Sequence, residues 1–402
     1  MKILLLTPIY PAENEKESVS PVVHYFVKEW VKTGHDVQVV HFSVTFPKIV
    51  YMIARPIKRL LSSWAGTEIR TWPLPECDYV LEGVRVRQIP IKKKRPHGRY
   101  STKEIRRTTL KVINCCDEQG FKPDVIISHW VNPQYEVMHL LKQRYQVPTC
   151  FVAHDGGHDL MTIYNKEAKQ YIGETNLFGY RSEPIKREFE QNFNCTDKPS
   201  FQCYSGVPEM YLRHEDRNIS NVNSFIFVGT LIKRKFPAAI IPAVKEGMGD
   251  DNYTITYIGE GYEKRRIEQT AQECGVEDKV KLKGFMKRED VISQLDKHDV
   301  FVMISRNETF GLVYLEAMAR GCITIASLDE GFDGVIEHGV NGFLCKAGDS
   351  NGLSNIIRKL RTMPSTELRR ISHNAMQTAA SLTDKKAAER YMEAVKNIVK
   401  NI

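Results

Sequence analysis

DVFVMISRNETFGLVYLEAMARGCITIAS, residues 299–327, moves from strand to turn to helix to strand within one short stretch. DVFVMIS is an apolar run that ends at Ser305, as a strand buried on both faces would. Asn307 to Gly311 make a polar turn, and a helix is expected from about Leu312 to Arg320. CITIAS, residues 322–327, is the next strand. Short apolar strands separated by helices imply a parallel sheet covered on both faces.

The same alternation extends in both directions. SFIFVGT (224–230), YTITYIGEG (253–261) and KVKLKGF (279–285) read as three more strands of the C-terminal half. In the N-terminal half KILLLTP, DVQVVHF, PDVIISHW, VPTCFVAH and KPSFQCYSG read likewise. Ser20-Pro21 is expected to start a helix, with Ser at the N-cap and Pro at N1. Its apolar stripe is Val23, Phe26, Val27, Trp30 and Val31, and Gly34 ends it. RHEDRNISNVNS, residues 213–224, is polar and reads as a linker between two doubly wound domains. The expected boundaries are 1–215 for the first domain and 216–382 for the second. The last segment, 383–402, is an amphipathic helix (Ala388, Tyr391, Met392, Val395, Ile398) expected to pack back on the first domain. Doubly wound sheets bind ligands at the carboxyl ends of their strands, so a cleft between the domains is the expected site.

Composition agrees with this reading. The 402 residues are 42% hydrophobic and 26% charged, an ordinary globular balance. No apolar run approaches the roughly 20 residues of a bilayer span. MKILLLTPIYP reads as a buried first strand rather than a signal peptide, because Pro8 and Pro11 break it and no small-residue cleavage site follows. Nine cysteines without a CxxC pair read as reduced, buried thiols of a cytoplasmic protein. The net charge of +8 is uneven: Lys48–Lys111 holds 16 Lys and Arg against 5 Asp and Glu. That excess suggests an acidic partner.

The expected start of the 312–320 helix offers unbonded N–H groups around Phe310, Gly311, Leu312 and Val313, a ready anion site. Gly311 lets a ligand approach the backbone. Glu308 lies just outside the helix and Glu316 just over one turn inside it, so carboxylates flank a phosphate position. Two glutamates eight apart also arise by chance, and helical Glu is usually solvated.

The stretch resembles the E-x7-E signature of glycosyltransferase family 4, a family of retaining enzymes, including its Phe-Gly and closing Gly321. VGTLIKRK (228–235), IGEG (258–261) and GVNGFLC (339–345) resemble further landmarks in the right order, and SHW (128–130), FVAH (151–154) and SGV (205–207) match weaker ones. The resemblance implies a GT-B fold: α/β, with two Rossmann-like doubly wound domains facing a cleft. It implies that Glu316 bonds the donor ribose and Glu308 the transferred sugar. By the same resemblance Lys235 binds the diphosphate, alongside the Gly229-Thr230 loop, and His154 faces the reacting sugar. This chain departs from the family pattern in three places. Thr230 stands where the family usually has Arg, with Arg234 a potential substitute. PAENEKESVSP replaces a Gly-rich loop, and EGFDGVIE replaces Gly-Gly-x-Pro-Glu.

HDGGHD, residues 154–159, pairs two His with two Asp. Gly156-Gly157 disfavours the helix a metal pair would need, so a loop presenting His154 is expected. No Asp-x-Asp occurs, and no metal or other cofactor is expected. GEG at 259–261 lacks the third glycine of a dinucleotide fingerprint, which argues against a dehydrogenase. The basic segment includes Lys92-Lys93-Lys94-Arg95. It reads as a solvated loop or as a membrane-facing surface, since FPKIVYMIARPIKRLLSSW (46–64) mixes apolar and cationic positions. No aromatic interleaving points to nucleic acid. The expectation is a cytoplasmic hexosyltransferase, peripheral to the inner face of the cell membrane. It would use a nucleotide diphosphate sugar, UDP ahead of GDP, on a saccharide or lipid-linked acceptor of lipopolysaccharide or capsule. The alternatives are a sugar-nucleotide epimerase of similar architecture and a non-catalytic sugar-nucleotide-binding protein.

Overall fold

A computed structural model describes residues 1–11, 21–58, 72–93 and 98–400. Most of the PAENEKESVSP loop, Ser20, Lys94, Arg95 and the end of the 46–64 stretch lie outside the described residues. The chain divides into two compact units, Met1–Tyr204 with Asp384–Ile402, and Ser205–Thr383.

The first unit holds an eight-stranded sheet of β1 (Lys2–Thr7), β2 (Asp36–Thr45), β3 (Cys77–Leu81), β4 (Val84–Lys92), β5 (Val125–His129), β6 (Thr149–Ala153), β7 (Leu177–Tyr180) and β8 (Ser200–Gln202). Its order is β3-β4-β2-β1-β5-β6-β7-β8. Among the described residues only the β3–β4 pair is antiparallel. Alternate residues of the central strands go to opposite faces. Leu4, Leu6, Val40, Ile126 and Phe151 pack into one core, and Ile3, Leu5, Val39, Ile127 and Val152 into the other. The second core is closed by helix α1 (Val22–Lys32) and by the helix Asp384–Lys400. Trp30 and Tyr391 meet there edge to face at 4.9 Å, and the Trp30 indole N–H donates to Ala388 O at 3.0 Å. Pro21 is the N-cap of α1 rather than its first residue, since its carbonyl accepts the opening bond from Tyr25 N at 3.1 Å.

The second unit holds a wholly parallel six-stranded sheet of β9 (Ser224–Val228), β10 (Thr254–Ile258), β11 (Val280–Leu282), β12 (Val300–Val302), β13 (Ile323–Ser327) and β14 (Phe343–Cys345). Its order is β11-β10-β9-β12-β13-β14. The chain therefore winds outward from β9 in one direction and from β12 in the other, which makes β9/β12 the topological switch point. The polar stretch 213–224 is part of this unit, not a free linker. Arg213 N donates to Ala319 O at 3.0 Å, and the buried Arg217 donates to the carbonyls of Leu295 (3.1 Å) and Arg320 (3.3 Å). Ile219 and Val222 of the same stretch are buried as well.

No disulfide links any of the nine cysteines, and seven are buried. Among the described residues no helix is long and apolar enough to cross a membrane.

Candidate functional site

The loop after β9 is held by its neighbours' backbone. Gly229 N donates to Ile258 O and Leu231 N to Glu260 O, both at 2.9 Å. A Cβ on Gly259 would lie 2.1 Å from Gly229 O, so only glycine permits this approach. The loop ends in a single 3-10 turn, Lys233–Lys235, which folds the Lys235 side chain back over Gly229. Burial pushes the Lys235 ammonium below its usual range, Glu308 opposes that and Arg234 adds to it. Its ammonium makes no hydrogen bond or ion pair with any described residue. A desolvated cation of this kind favours an incoming anion.

Across the switch point, the loop after β12 is clamped from three sides. Arg306 N donates to Arg234 O at 2.7 Å, and the Arg234 guanidinium donates to the carbonyls of Arg306 and Asn307 at 3.3 Å each. Arg234 also lies 3.5 Å from Glu308 Oε2. Glu308 N donates to Glu330 Oε2 at 2.9 Å, and burial is the chief reason that the Glu330 carboxyl titrates above its usual range. Ser305 Oγ reaches Glu308 Oε2 at 3.5 Å and Tyr314 Oη at 3.0 Å. In this arrangement Arg234 donates to the loop carbonyls and lies beside Glu308.

The helix Leu312–Ala319 opens at Gly311, whose φ of 80° is left-handed. A Cβ there would lie 2.5 Å from the Tyr314 ring. Gly311 offers no side chain to cap the first turn, so the N–H groups of Leu312 and Val313 face outward without a side-chain partner. Phe310 is buried against Phe332, ring centroids 5.3 Å apart, which sets the angle at which the chain enters the helix.

Glu316 sits inside that helix and is buried, with its Oε1 accepting from Arg288 Nε at 2.7 Å. Arg288 comes from the helix Arg288–Leu295 and lies over the Tyr211 ring at 5.2 Å. The carboxylate the resemblance gave to the ribose is therefore oriented by an arginine and already shares one oxygen with it. Arg288 and Glu330 left no local signal, because each meets its partner 28 and 22 residues away. Hydrogen bonds to charged groups are worth roughly 1.5–3 kcal/mol. Glu316→Ala is expected to weaken nucleotide binding by about ten- to a hundredfold. Titration calorimetry showing unchanged UDP and GDP affinity would remove Glu316 from the nucleotide site.

In the first unit, His154 follows β6, and a tight turn follows it, with Gly157 N donating to Asp155 Oδ1 at 2.6 Å. The next helix starts at His158, so His154 and His158 do not share a helical face. Among the described residues no three His, Cys, Asp or Glu side chains group as a metal site. His154 is stacked on Trp130 at 3.7 Å and 15°, and burial, His129 and Arg181 all hold its ring well below the usual imidazole range.

The profile of the family "Glycosyl transferases group 1" matches residues 212–378. An amylovoran biosynthesis glycosyltransferase of Erwinia amylovora is 32% identical over 284 residues, covering 65% of this chain and 67% of that one. A lipopolysaccharide core biosynthesis glycosyltransferase of Rhizobium meliloti is 31% identical over 173 residues, and the match spans about half of that relative (49%) and 42% of this chain. Among solved structures, the Anabaena HepE protein in complex with UDP superposes with a TM-score of 0.70 at 18% identity, covering 99% of this chain and 100% of that one. Sucrose-phosphate synthase from Thermosynechococcus elongatus gives 0.71 at 15% identity, with both chains wholly covered. The architecture is that of a GT-B glycosyltransferase. Within that class, the chain belongs to the glycosyl transferases group 1 family.

Proposed function

We propose that this chain transfers a hexose from a nucleotide diphosphate sugar to a saccharide or lipid-linked acceptor of a surface polysaccharide, with retention of configuration. The observation that carries this reading is the half-buried Lys235 ammonium, without a hydrogen bond or ion pair among the described residues, at the β9/β12 switch point, with the uncapped helix start at Gly311 following β12. Both favour negative charge, as a departing diphosphate requires. UDP is the nucleotide we infer, with GDP as runner-up; HepE, a structural relative, binds UDP. The diphosphate leaves toward Lys235 and the helix amides. Its departing oxygen takes the proton of the incoming hydroxyl on the same face, so no enzymic nucleophile is needed. Glu308, 3.5 Å from both Arg234 and Ser305 Oγ, is a hydroxyl acceptor for the transferred sugar in this scheme.

Charge neutralisation by Lys235 and backbone amides makes the reaction metal-independent. Transfer in excess EDTA is expected to match the untreated rate, and NMR of the product is expected to show the anomeric configuration of the donor. A loss of rate restored by magnesium or manganese would overturn the leaving-group assignment, and an inverted anomer would overturn retention. Release of free epimerised sugar without an acceptor would favour the epimerase reading.

The acceptor side carries a surface suited to an anionic membrane. Helix α2 (Lys48–Ala54) exposes Ile49 (64%), Met52 (68%) and Ile53 (62%), with Lys48 and Arg55 at its ends. Much of the basic excess beyond it is committed elsewhere. Arg85, Arg87, Arg99, Arg107 and Lys111 are paired with carboxylates, and Lys93 lies over the Tyr100 ring at 5.1 Å. We place the docking surface on α2; Lys94 and Arg95 lie outside the described residues. Replacing Ile49, Met52 and Ile53 with Ser should abolish co-sedimentation with anionic vesicles and leave nucleotide affinity unchanged. Wild-type protein that stays in the supernatant at low salt would rule the surface out.

A further inference from the structure

β4 runs into a lysine at a core-facing position. Ile89 and Ile91 of that strand face the core they share with Leu4, Phe42 and Tyr100, while Lys92 is exposed. Period-two alternation makes Lys93 the next inward residue. Its backbone continues the ladder, with Lys93 N donating to Thr45 O at 2.8 Å. The half-buried side chain places its ammonium over the buried Tyr100 ring at 5.1 Å. Lysine is rarely drawn inward without a carboxylate to meet it.

The carboxylates that meet the segment carrying Tyr100 are engaged by other groups. Arg99 takes Glu136 at 3.1 Å and Glu167 at 2.7 Å, and Glu104 accepts from Arg107 at 3.2 Å and from Lys92 N at 3.1 Å. Asn132 Nδ2 donates to Gly98 O at 3.1 Å, which fixes the start of that segment. Asp159, on the helix His158–Tyr164, acts on Lys93 electrostatically but forms no ion pair with it. Lys93 makes no hydrogen bond or ion pair with any described residue. Burial outweighs Asp159 and holds the ammonium below its usual range. A ring face attracts an ammonium less than a full negative charge does, so an incoming oxyanion would displace nothing stronger.

Place in the fold says which anion. β4, β2, β1, β5 and β6 are parallel neighbours, so Lys93 leaves the same carboxyl edge of the sheet from which β6 leads to His154. Ligands of doubly wound sheets bind at that edge. Lys235 and the helix start at Gly311, which answer the diphosphate of the donor, belong to the second unit, whereas Lys93 belongs to the first.

We propose that Lys93 is the anion contact of the acceptor subsite, and that the acceptor saccharide carries an oxyanion, either a phosphate ester or a uronate carboxylate, which this ammonium meets beside Tyr100. This rests on the reading of the chain as a transferase whose acceptor binds the first unit.

The test is saturation-transfer NMR on full-length protein saturated with UDP, which fills the anion site of the second unit. The probes are methyl glucoside, methyl glucuronide and glucose 6-phosphate. Wild type is expected to bind at least one acidic probe about tenfold or more tightly than methyl glucoside, the worth of one charge-assisted bond, and the tighter acid names the oxyanion. Lys93→Met keeps the aliphatic stem over Tyr100 and is expected to erase that preference, while Lys93→Arg keeps it, both with UDP affinity unchanged. Loss of an unpaired, desolvated cation is also expected to leave the melting temperature of Lys93→Met no lower than that of wild type. Equal binding of the three probes by wild type overturns the proposal, as does a preference that survives Lys93→Met. A lowered melting temperature in Lys93→Met overturns it too, because Lys93 would then be a packing residue. Wild type that binds neither UDP nor GDP sinks the transferase reading instead, while the probe preference still decides the role of Lys93.

Discussion

Lys235→Met is expected to slow transfer by ten- to a hundredfold or more while the protein stays folded. Methionine retains the aliphatic stem that lies over Gly229 and removes only the charge. The ammonium makes no hydrogen bond or ion pair among the described residues, and Glu308, the carboxylate that acts on it electrostatically, keeps Arg234 at 3.5 Å when it is removed. The loss therefore reads directly on the anion it meets. Charge-assisted bonds are worth roughly 1.5–3 kcal/mol, and each ~1.4 kcal/mol lost from the transition state is a factor of about ten. Because charge grows on the diphosphate as it departs, the effect should be larger on kcat than on UDP affinity. Steady-state kinetics beside calorimetry make the comparison. Wild-type turnover in Lys235→Met would mean that the leaving group sits elsewhere.

His154→Ala should separate transfer from nucleotide binding more sharply still. His154 belongs to the first unit, whereas the whole proposed nucleotide site belongs to the second. Turnover is expected to fall by about a hundredfold or more, the usual cost of removing one positioned donor. UDP affinity should stay near normal. A variant that turns over normally would leave His154 as a structural ring stacked on Trp130.

The two sheets were legible because most of their strands are buried on both faces, and such strands read as unbroken apolar runs. The β3–β4 hairpin was missed for the opposite reason. Val84 and Val86 alternate with the ion-paired Arg85 and Arg87, and the turn between the strands is Glu82-Gly83 with both residues at positive φ. That alternation, with Gly at the turn, was the available signal. In the second unit Glu308, Phe310 and Gly311 stood out as the turn before an expected helix, whereas Lys235 was marked only by the family resemblance; the strand order places Lys235 and Glu308 on opposite sides of one switch point. What orients them was not readable. Glu330 reaches back to Glu308 N, Arg288 takes Glu316, and Arg234 is turned to the Arg306 and Asn307 carbonyls. Each is a polar pairing between distant segments, which no periodicity records. The same holds for the basic segment, whose net charge was visible but whose internal pairing was not.

The helix Asp384–Lys400 has a consequence for the order in which the molecule can be made. A ribosome adds roughly 5–20 residues per second. Once Tyr204 is synthesised, the whole of Ser205–Thr383 must follow before that helix exists, a delay on the order of ten seconds or more. During that interval Phe26, Trp30 and Phe201 have no Tyr391 to pack against, and the Trp30 indole has no Ala388 carbonyl. The nascent first unit thus waits with an open apolar face while the second unit, contiguous in the chain, can fold to completion. Emergence of that helix from the ribosome is the event that seals the older half of the molecule.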